Sequence, residues 1–368
     1  MRIFVTGTRG IPSIPGGVES HCEQLYPRIS SMGNEIFLSR RTSYVTTSLE
    51  QWQGVLLTNV YTPRRKSLEA IIHTTLSIFK AWKWRADIIH IHAIGPALMT
   101  PLAKILGMKV VVTNHGPDYE RQKWGRLAKV VLRLGEYLGC KYADEVIVIS
   151  KHIHSIVQKR VNRKAHLIPN GVVIHEIVKE TDYISSIGVQ PKKYILAVAR
   201  LVPEKGLHDL IDAFELANLN VIKLVIAGDS DHEDKYSCEL KNRARNNPDI
   251  VMTSYVKGDD LYQLYSHAKL FVLPSYHEGL PISLLEALSY GLSVLVSDIE
   301  ANTELGLDDS CYFSVGKINV LADKINKRLQ EDRSEYDIRN TIEWVQKKYD
   351  WDIIADKTLY AYHMAINE

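Results

Sequence analysis

Short apolar runs rich in Val and Ile recur along the chain, and between them apolar residues return every three or four positions. Residues 2 to 6 form the first run; others lie near Glu35 to Arg40, Val55 to Val60, Asp87 to His92, Lys109 to Asn114 and Glu145 to Ile149. Each run reads as a strand and each intervening segment as a helix, so the first half predicts a doubly wound parallel sheet. After a polar, irregular linker from about Ile174 to Pro191 the pattern starts again, at Tyr194 to Ala199, Lys223 to Ala227 and Leu270 to Leu273. A second sheet follows from it. Tyr349-Asp350-Trp351-Asp352 then opens an aromatic-rich terminal helix of the kind that returns to the first domain.

Open α/β sheets bind ligands beyond the carboxyl ends of their strands, so the chemistry is sought in the loops that follow each run. The first is Gly7-Thr8-Arg9-Gly10-Ile11-Pro12-Ser13-Ile14-Pro15-Gly16-Gly17-Val18-Glu19. It lacks the G-x-G-x-x-G spacing, and no acidic residue ends a second strand at the expected distance, which weakens a dinucleotide site. A long βα turn accounts for it equally well. The fourth and fifth strands end in His90-Ile91-His92-Ala93 and Asn114-His115-Gly116-Pro117-Asp118. In the second half, Arg200 and Lys205 stand five residues apart on a turn with Pro203 and Gly206. Arg as a planar fork and Lys as a point charge suit one diphosphate, although ordinary surface charges fit the same turn.

The stretch from Ser275 to Gly291 carries the most chemistry. It leaves a buried-type strand and enters a helix with Pro281 suited to the first helical position and Gly291 to the C-terminal cap. Glu278 falls just before that helix and Glu286 is placed about two turns inside it. The helix N-terminus favours a phosphate and the two carboxylates favour hydroxyl-rich groups, which together suit a sugar nucleotide. The plain alternative is a pair of solvated glutamates.

Composition narrows the partners. A length of 368 residues suits two domains, and a net charge of +2 gives no global case for nucleic acid. Cys22, Cys140, Cys238 and Cys311 are scattered without a C-x-x-C pair, which argues against a disulfide framework or a zinc knuckle and fits a reducing cytosol. The N-terminus enters a strand directly, so no secretory signal is expected, and no apolar run approaches the roughly 20 residues of a membrane span. Two helical segments are both basic and aromatic. One, from Ser67 to Arg85, places Leu68, Ile71, Ile72, Leu76 and Phe79 on one side and ends in Lys80, Trp82, Lys83 and Trp84. The other starts at Arg121, with Lys123, Arg126, Lys129 and Arg133 on one face and Trp124, Leu127, Val131, Leu134 and Leu138 on another. The ordinary expectation is a core face opposite a solvated one. The rival is contact with anionic lipid headgroups at the inner face of a membrane.

Glu278 and Glu286, seven residues between them and Gly279-Leu280-Pro281 at the start of that interval, resemble the signature of retaining glycosyltransferases of the GT-B fold, family 4 in particular. The resemblance covers nearly the whole chain. It implies two Rossmann-like domains facing across a cleft: residues 1–173 plus about 350–368 on the acceptor side, and 174–349 holding the donor. It implies that Glu278 contacts the donor sugar and Glu286 the ribose. Arg200 and Lys205 also resemble the family's pair, which grips the donor diphosphate together with Gly279, Leu280 and Pro281. Gly16 and Gly17 are similar to the family's Gly-Gly loop, where backbone amides approach the donor phosphate or the acceptor. His115 matches a histidine that contacts the donor sugar and stabilises charge as the bond to phosphate breaks. His92 ranks below it, as a pocket wall. Asn170, in Pro169-Asn170-Gly171-Val172, matches a run at the interdomain cleft, while Tyr255 and Val256 fall where relatives hold the base through main-chain groups.

Asp229-Ser230-Asp231 has the form of the metal motif of the other major glycosyltransferase fold, yet a polar turn after Ala-Gly explains it. No metal and no cofactor are expected, the nucleotide sugar being a cosubstrate. Gly7-Thr8-Arg9-Gly10-Ile11-Pro12 further resembles a subgroup associated with bacterial surface polysaccharides, rhamnosyltransferases among them. The expected activity is retaining transfer of a hexose or deoxyhexose, from a UDP-sugar by preference, to a glycan or polyprenyl-linked acceptor. A nucleotide-sugar epimerase of the same fold and a noncatalytic sugar-nucleotide binder remain open at this point.

Overall fold

The structure is a computed structural model and describes residues 1–45, 47–63, 68–120, 125–230 and 233–367. The chain divides into two units, Met1–Gly171 with Trp351–Glu368, and Val172–Asp350. Val172, placed by the sequence in the first domain, starts the second: its N–H donates to the Tyr349 carbonyl at 2.8 Å, and it bridges to Asp350.

The first unit is built on eight strands, β1 (Arg2–Thr6), β2 (Glu35–Arg41), β3 (Gln51–Trp52), β4 (Val55–Val60), β5 (Ile88–His92), β6 (Lys109–Asn114), β7 (Glu145–Val148) and β8 (His166–Leu167). Their order is β3-β4-β2-β1-β5-β6-β7-β8, parallel throughout except for β3 against β4. The chain runs outward from β1 to β4 and then returns to β5, so the strand order reverses between β1 and β5. That reversal opens a crevice at the carboxyl ends. Right-handed crossovers put the helix Gly17–Ser31 on one face of the sheet and Glu69–Trp84, Thr100–Ile105 and Arg126–Tyr142 on the other. The terminal helix Trp351–Asn367 packs against Gly17–Ser31, β6 and β7.

The second unit repeats the plan with β9 (Tyr194–Val198), β10 (Lys223–Ala227), β11 (Ile250–Met252), β12 (Leu270–Leu273), β13 (Val294–Ser297) and β14 (Tyr312–Phe313). All are parallel in the order β11-β10-β9-β12-β13-β14, and the reversal falls between β9 and β12. Ile195, Ala197, Leu224, Ile226 and Val272 form one packed core with Leu210, Phe214, Leu321 and Ile325 from the covering helices.

Two helices overturn the expectation of a core-facing apolar side. Arg126–Tyr142 buries Gly135, Glu136, Gly139 and Cys140, leaving Leu127 80% and Val130 58% exposed, with Leu134 and Tyr137 exposed on the same stripe. Glu69–Trp84 buries His73, Thr74, Ser77, Ile78 and Ala81 and exposes Leu76, Phe79 and Trp82. Close approach selects the small residues: a Cβ on Gly135 would lie 2.2 Å from the Ile94 carbonyl oxygen, and one on Gly139 2.6 Å from Ala97 Cβ. Ser67, Arg121, Lys123 and Trp124, part of the same sequence expectation, lie outside the described residues.

Candidate functional site

In the second unit the loops after β9 and β12 flank the reversal point and are knitted together. Gly206 has φ +64°, and a Cβ there would lie 2.2 Å from the Pro274 carbonyl oxygen, so the two loops touch backbone to backbone where only glycine fits. The Tyr276 N–H donates to the Glu204 carbonyl at 2.9 Å. Across this seam Lys205 Nζ donates to Glu278 Oε1 at 2.5 Å, and the Ser275 hydroxyl donates to the same oxygen at 2.7 Å. Arg200 stands two residues past the end of β9. Gly279 and Leu280 lead from Glu278 into the helix Ile282–Ser289, whose N-cap position is Pro281. No side chain caps that N-terminus.

Pro281 thus sits one position before the helix rather than at its first residue, and Gly291, with φ +67°, follows the C-cap Tyr290. Glu286 is the fifth residue of the helix, just over one turn in and not two. Its Oε2 accepts a hydrogen bond from the buried Tyr265 hydroxyl at 2.7 Å. Burial pushes the Glu286 carboxyl up to about 7, against the opposing pull of that hydroxyl. Tyr290 stacks on Tyr265 at 5.4 Å and His175 lies 4.0 Å from Tyr262, ring centre to ring centre, giving an aromatic surround that the sequence reading missed.

Gly228 joins the seam from the other side, with a Cβ position 2.0 Å from the Ala199 carbonyl oxygen and an N–H that donates to the Ser254 carbonyl at 2.8 Å. Ser254 holds the left-handed conformation at φ +57°, and Tyr255 beside it is exposed while Val256 is half-buried. Asp229 is paired with Lys241 at 3.0 Å, and its carboxyl is held below the usual range, with hydrogen bonds and that ammonium outweighing burial. Asp231 lies outside the described residues.

In the first unit the loop after β1 meets the end of β5 at the reversal point, beside His115, which follows β6. Gly7, at φ +99°, lets the loop pass within 2.2 Å (Cβ position to oxygen) of the His92 carbonyl. Glu19 pins the loop from the first turn of the helix: its Oε1 accepts from the Arg9 N–H at 2.9 Å and from the Thr8 hydroxyl at 3.2 Å. Gly16 crosses so close to Glu19 that a Cβ would overlap its Oε2. Gly17, the first helical residue, has open space where a Cβ would stand.

His115 follows β6 and is partly exposed. Asn114 fixes its loop, accepting from the Gly116 N–H at 2.9 Å and donating to the buried Glu136 Oε1 at 3.2 Å. His115 Nε2 lies 2.9 Å from His92 Nδ1, and the two rings stack at 27°. His92 is fully buried and not a pocket wall, because β5 runs through the middle of the sheet under the helix Gly17–Ser31. Asn170 is buried too, its Oδ1 3.0 Å from Nδ1 of His21. The sequence reading passed over His21, Tyr26 and His90. The alternation of His90 and His92 was the available signal, since period two puts both on one face.

His21, His92 and His115 hold ring nitrogens within 4.8 Å of one another, a spacing that suits a cation. Both nitrogens of His92 are already engaged, by the Tyr26 hydroxyl and by His115, so a cation there has to displace one of them. Burial is the first cause that takes His21 down to about 4, and it also holds His92 and His115 well below the ordinary histidine range; neighbouring imidazoles add to it for the latter two. All three are neutral at physiological pH.

Residues 180–344 match the family described as Glycosyl transferases group 1, and residues 15–176 match Glycosyltransferase Family 4. An uncharacterized glycosyltransferase of Methanocaldococcus jannaschii is 28% identical, over 100% of this chain and 99% of that protein. The GDP-mannose:cellobiosyl-diphosphopolyprenol alpha-mannosyltransferase of Xanthomonas campestris is 25% identical, over 93% of this chain and 95% of its own length. Among solved structures, sucrose-phosphate synthase from Thermosynechococcus elongatus superposes with a TM-score of 0.81 at 18% identity, covering 98% of each chain.

Proposed function

This chain is a glycosyltransferase of the GT-B fold, and from that premise we propose that it transfers a hexose or deoxyhexose, with retention of anomeric configuration and without a metal, from a nucleotide-diphosphate sugar to a lipid-linked or glycan acceptor in cell-surface polysaccharide synthesis. The observation that carries the reading is the seam at the β9/β12 reversal, where Lys205 meets Glu278 just ahead of a helix whose N-terminus no side chain caps. Lys205, Arg200 and the amides after Pro281 neutralise the diphosphate as it leaves. Glu278 accepts from sugar hydroxyls, and Glu286 accepts from the ribose. The base lies against Tyr255 and Val256, read through main-chain groups. In the first unit, His115 donates to the donor sugar, and the amides at Gly16 and Gly17 approach the donor phosphate or the acceptor.

The bond from the anomeric carbon to the phosphate oxygen breaks with its electron pair going to phosphate, while the acceptor oxygen bonds to the same face of that carbon. The acceptor's proton passes to the leaving phosphate. A trapped glycosyl-enzyme adduct overturns this same-face route.

The acceptor is proposed to be lipid-linked because a membrane-compatible surface accompanies the site. Leu127, Val130 and Leu134 are exposed beside Arg126, Lys129 and Arg133, and Phe79 and Trp82 are exposed beside Lys80 and Lys83. Both helices pack on the segment Pro96–Ile105. Apolar side chains among cations suit an anionic bilayer surface, where each basic residue contributes about 1 kcal/mol. The Xanthomonas relative, by its name, uses a diphosphopolyprenol acceptor. None of the described helices is long and apolar enough to cross a membrane.

The test is calorimetric titration with UDP, GDP and dTDP, with and without EDTA, on wild type and Arg200→Ala. UDP is the base favoured from the sequence, and the Xanthomonas relative brings GDP into the comparison. Binding of one nucleotide that resists EDTA and weakens in the variant supports the reading; binding that requires a metal defeats its metal-free part. Incubating the matching nucleotide sugar without acceptor separates transfer from epimerisation, since only an epimerase then changes the sugar.

A further inference from the structure

The histidine of the first unit is the end of a longer buried chain that the transfer reading does not use. Tyr362 of the terminal helix, Tyr26 of the helix Gly17–Ser31, and His90 and His92 of β5 all have no exposure to solvent. His90 Nδ1 lies 2.6 Å from the Tyr362 hydroxyl and 2.9 Å from the Tyr26 hydroxyl, while its Nε2 lies 2.7 Å from the Thr113 hydroxyl. The Tyr26 hydroxyl also bonds His92 Nε2, and His92 Nδ1 bonds His115 Nε2. The other groups facing this chain are His21, edge-on to both His92 and His115, Trp351, edge-on to His21, and Cys22, which faces Tyr26 and Tyr362. None of these groups is a carboxylate or a permanent cation.

Proton counting, with the shorter contact preferred at each shared atom, gives the chain a direction. A neutral imidazole carries one proton and one ring lone pair, so His90 Nδ1 cannot accept from both phenols. Tyr362, the nearer at 2.6 Å, takes that lone pair, and His90 then donates from Nε2 to Thr113. Tyr26, whose hydroxyl also meets that of Tyr362, gives its proton to His92 Nε2, which is nearer to it than His90 Nδ1; this puts the His92 proton on Nδ1, where it is donated to His115 Nε2. The remaining proton of His115 therefore stands on Nδ1. Thr113 and Tyr362 are buried, so the inner end has no outlet to water and the chain is not a proton conduit.

We propose that Tyr26 and His92 are positioning residues that hold His115 as its neutral Nδ1–H tautomer, so that it presents a hydrogen-bond donor, and never a base, to the donor sugar. The inference rests on the proposed role of His115 in transfer. A donor aimed at a sugar or bridging oxygen stabilises charge as it develops, and a buried bond chain holds it without reorganisation at the moment of reaction. Burial holds His90 and His92 below the ordinary histidine range, which agrees with one proton on each ring.

The experiment is nitrogen-15 NMR of the histidine rings in the whole protein, with His115 identified by the signals missing from His115→Gln. Wild type is expected to show His115 as a single Nδ1–H tautomer from pH 5.5 to 8. Tyr26→Phe removes one hydroxyl and keeps the ring, and it is expected to give His115 as a mixture of tautomers. In assays of transfer the same variant lowers kcat about tenfold, the scale of one misdirected hydrogen bond, with KM for the donor unchanged. His92→Phe is expected to give the same tautomer mixing and serves where Tyr26→Phe unfolds. An Nε2–H tautomer in wild type, or an unchanged His115 signal in both folded variants, overturns the proposal. The NMR result stands whether or not transfer is detected, so failure here is distinct from failure of the functional reading.

Discussion

Lys205 Nζ and Glu278 Oε1 are 2.5 Å apart across the seam between the β9 and β12 loops, and both side chains are largely shielded from water. The cation proposed for the diphosphate and the carboxylate proposed for the sugar therefore neutralise one another before any ligand arrives. Neither is a solvated surface charge. Removing one leaves the other shielded and without its ionic partner, so the two substitutions do not add.

Lys205→Met is expected to weaken nucleotide diphosphate binding about 10- to 100-fold, the value of a charge-assisted hydrogen bond. Glu278→Gln keeps its contact with Ser275 and is expected to leave nucleotide affinity nearly intact while slowing transfer about 100-fold or more, as loss of a transition-state contact does. Calorimetry and turnover on the same preparations check the split. Equal losses in both quantities for Glu278→Gln would falsify its assignment to the sugar.

Glu286 makes nucleotide binding depend on pH. As an acceptor from ribose hydroxyls it acts as the carboxylate, and in the free protein that form predominates only above about pH 7. Affinity is expected to rise as pH increases to about 7 and then level off, with proton release on binding below that point. The stability sign is opposite. A folded value raised from 4.5 gives stability that is fully present below 4.5 and lost as pH rises through about 7, so Glu286→Gln should stabilise the ligand-free protein at pH 8 and not at pH 4. Tyr265→Phe removes the hydroxyl that lowers the value and should move the binding profile to higher pH. Calorimetry in buffers of different ionisation enthalpy measures the released proton, and a flat profile in wild type sinks the assignment.

Much of this was legible in the sequence because the loops announce themselves after apolar strands. Arg200, Lys205, Glu278 and Glu286 were singled out because they stand beside Gly and Pro at strand ends, and the structure pairs Lys205 with Glu278 and Glu286 with Tyr265. The strands β3, β8 and β14 are two residues each, too short for any periodicity, and β11 has three. Tyr26, His90, Tyr265 and Tyr362 were not found for a different reason: each reads locally as a core residue, and its polar partner comes from another element. The helix Arg126–Tyr142 misled the pattern because glycine, not leucine, is what permits close packing at Ile94 and Ala97. An apolar stripe shows which side chains avoid water, but not which neighbour removes them from it.

Two glycines separate fold from ligand. Gly206→Ala places a Cβ against the Pro274 carbonyl in a left-handed conformation, and a loss of about 1–3 kcal/mol in chemical denaturation is expected, together with weakened nucleotide binding. Gly17→Ala meets no protein atom within 4 Å and should leave stability unchanged or slightly raised. If the amide at Gly17 approaches a phosphate or the acceptor, the new methyl group obstructs it and transfer falls while the melting temperature holds. Full activity in Gly17→Ala removes this loop from the proposed site.

The exposed stripe on Arg126–Tyr142 predicts a variant that keeps its fold and loses its membrane. Leu127 is 80% exposed, so Leu127→Asp costs little apolar burial and is expected to leave thermal unfolding nearly unchanged. The same change removes an apolar contact from a bilayer and adds a charge repelled by anionic lipid. Co-sedimentation with vesicles of phosphatidylglycerol and phosphatidylcholine should therefore fall for Leu127→Asp, and more for the double variant with Leu134→Asp. Wild-type binding should weaken as salt rises from 0.05 to 0.5 M, because the cationic share is screened over about 10 Å at 0.1 M while the apolar share is not. Turnover on a short-chain, water-soluble acceptor should be indifferent to both substitutions. Vesicle binding that survives the double variant, or wild-type protein that ignores anionic vesicles at low salt, means that this face meets something other than a lipid surface.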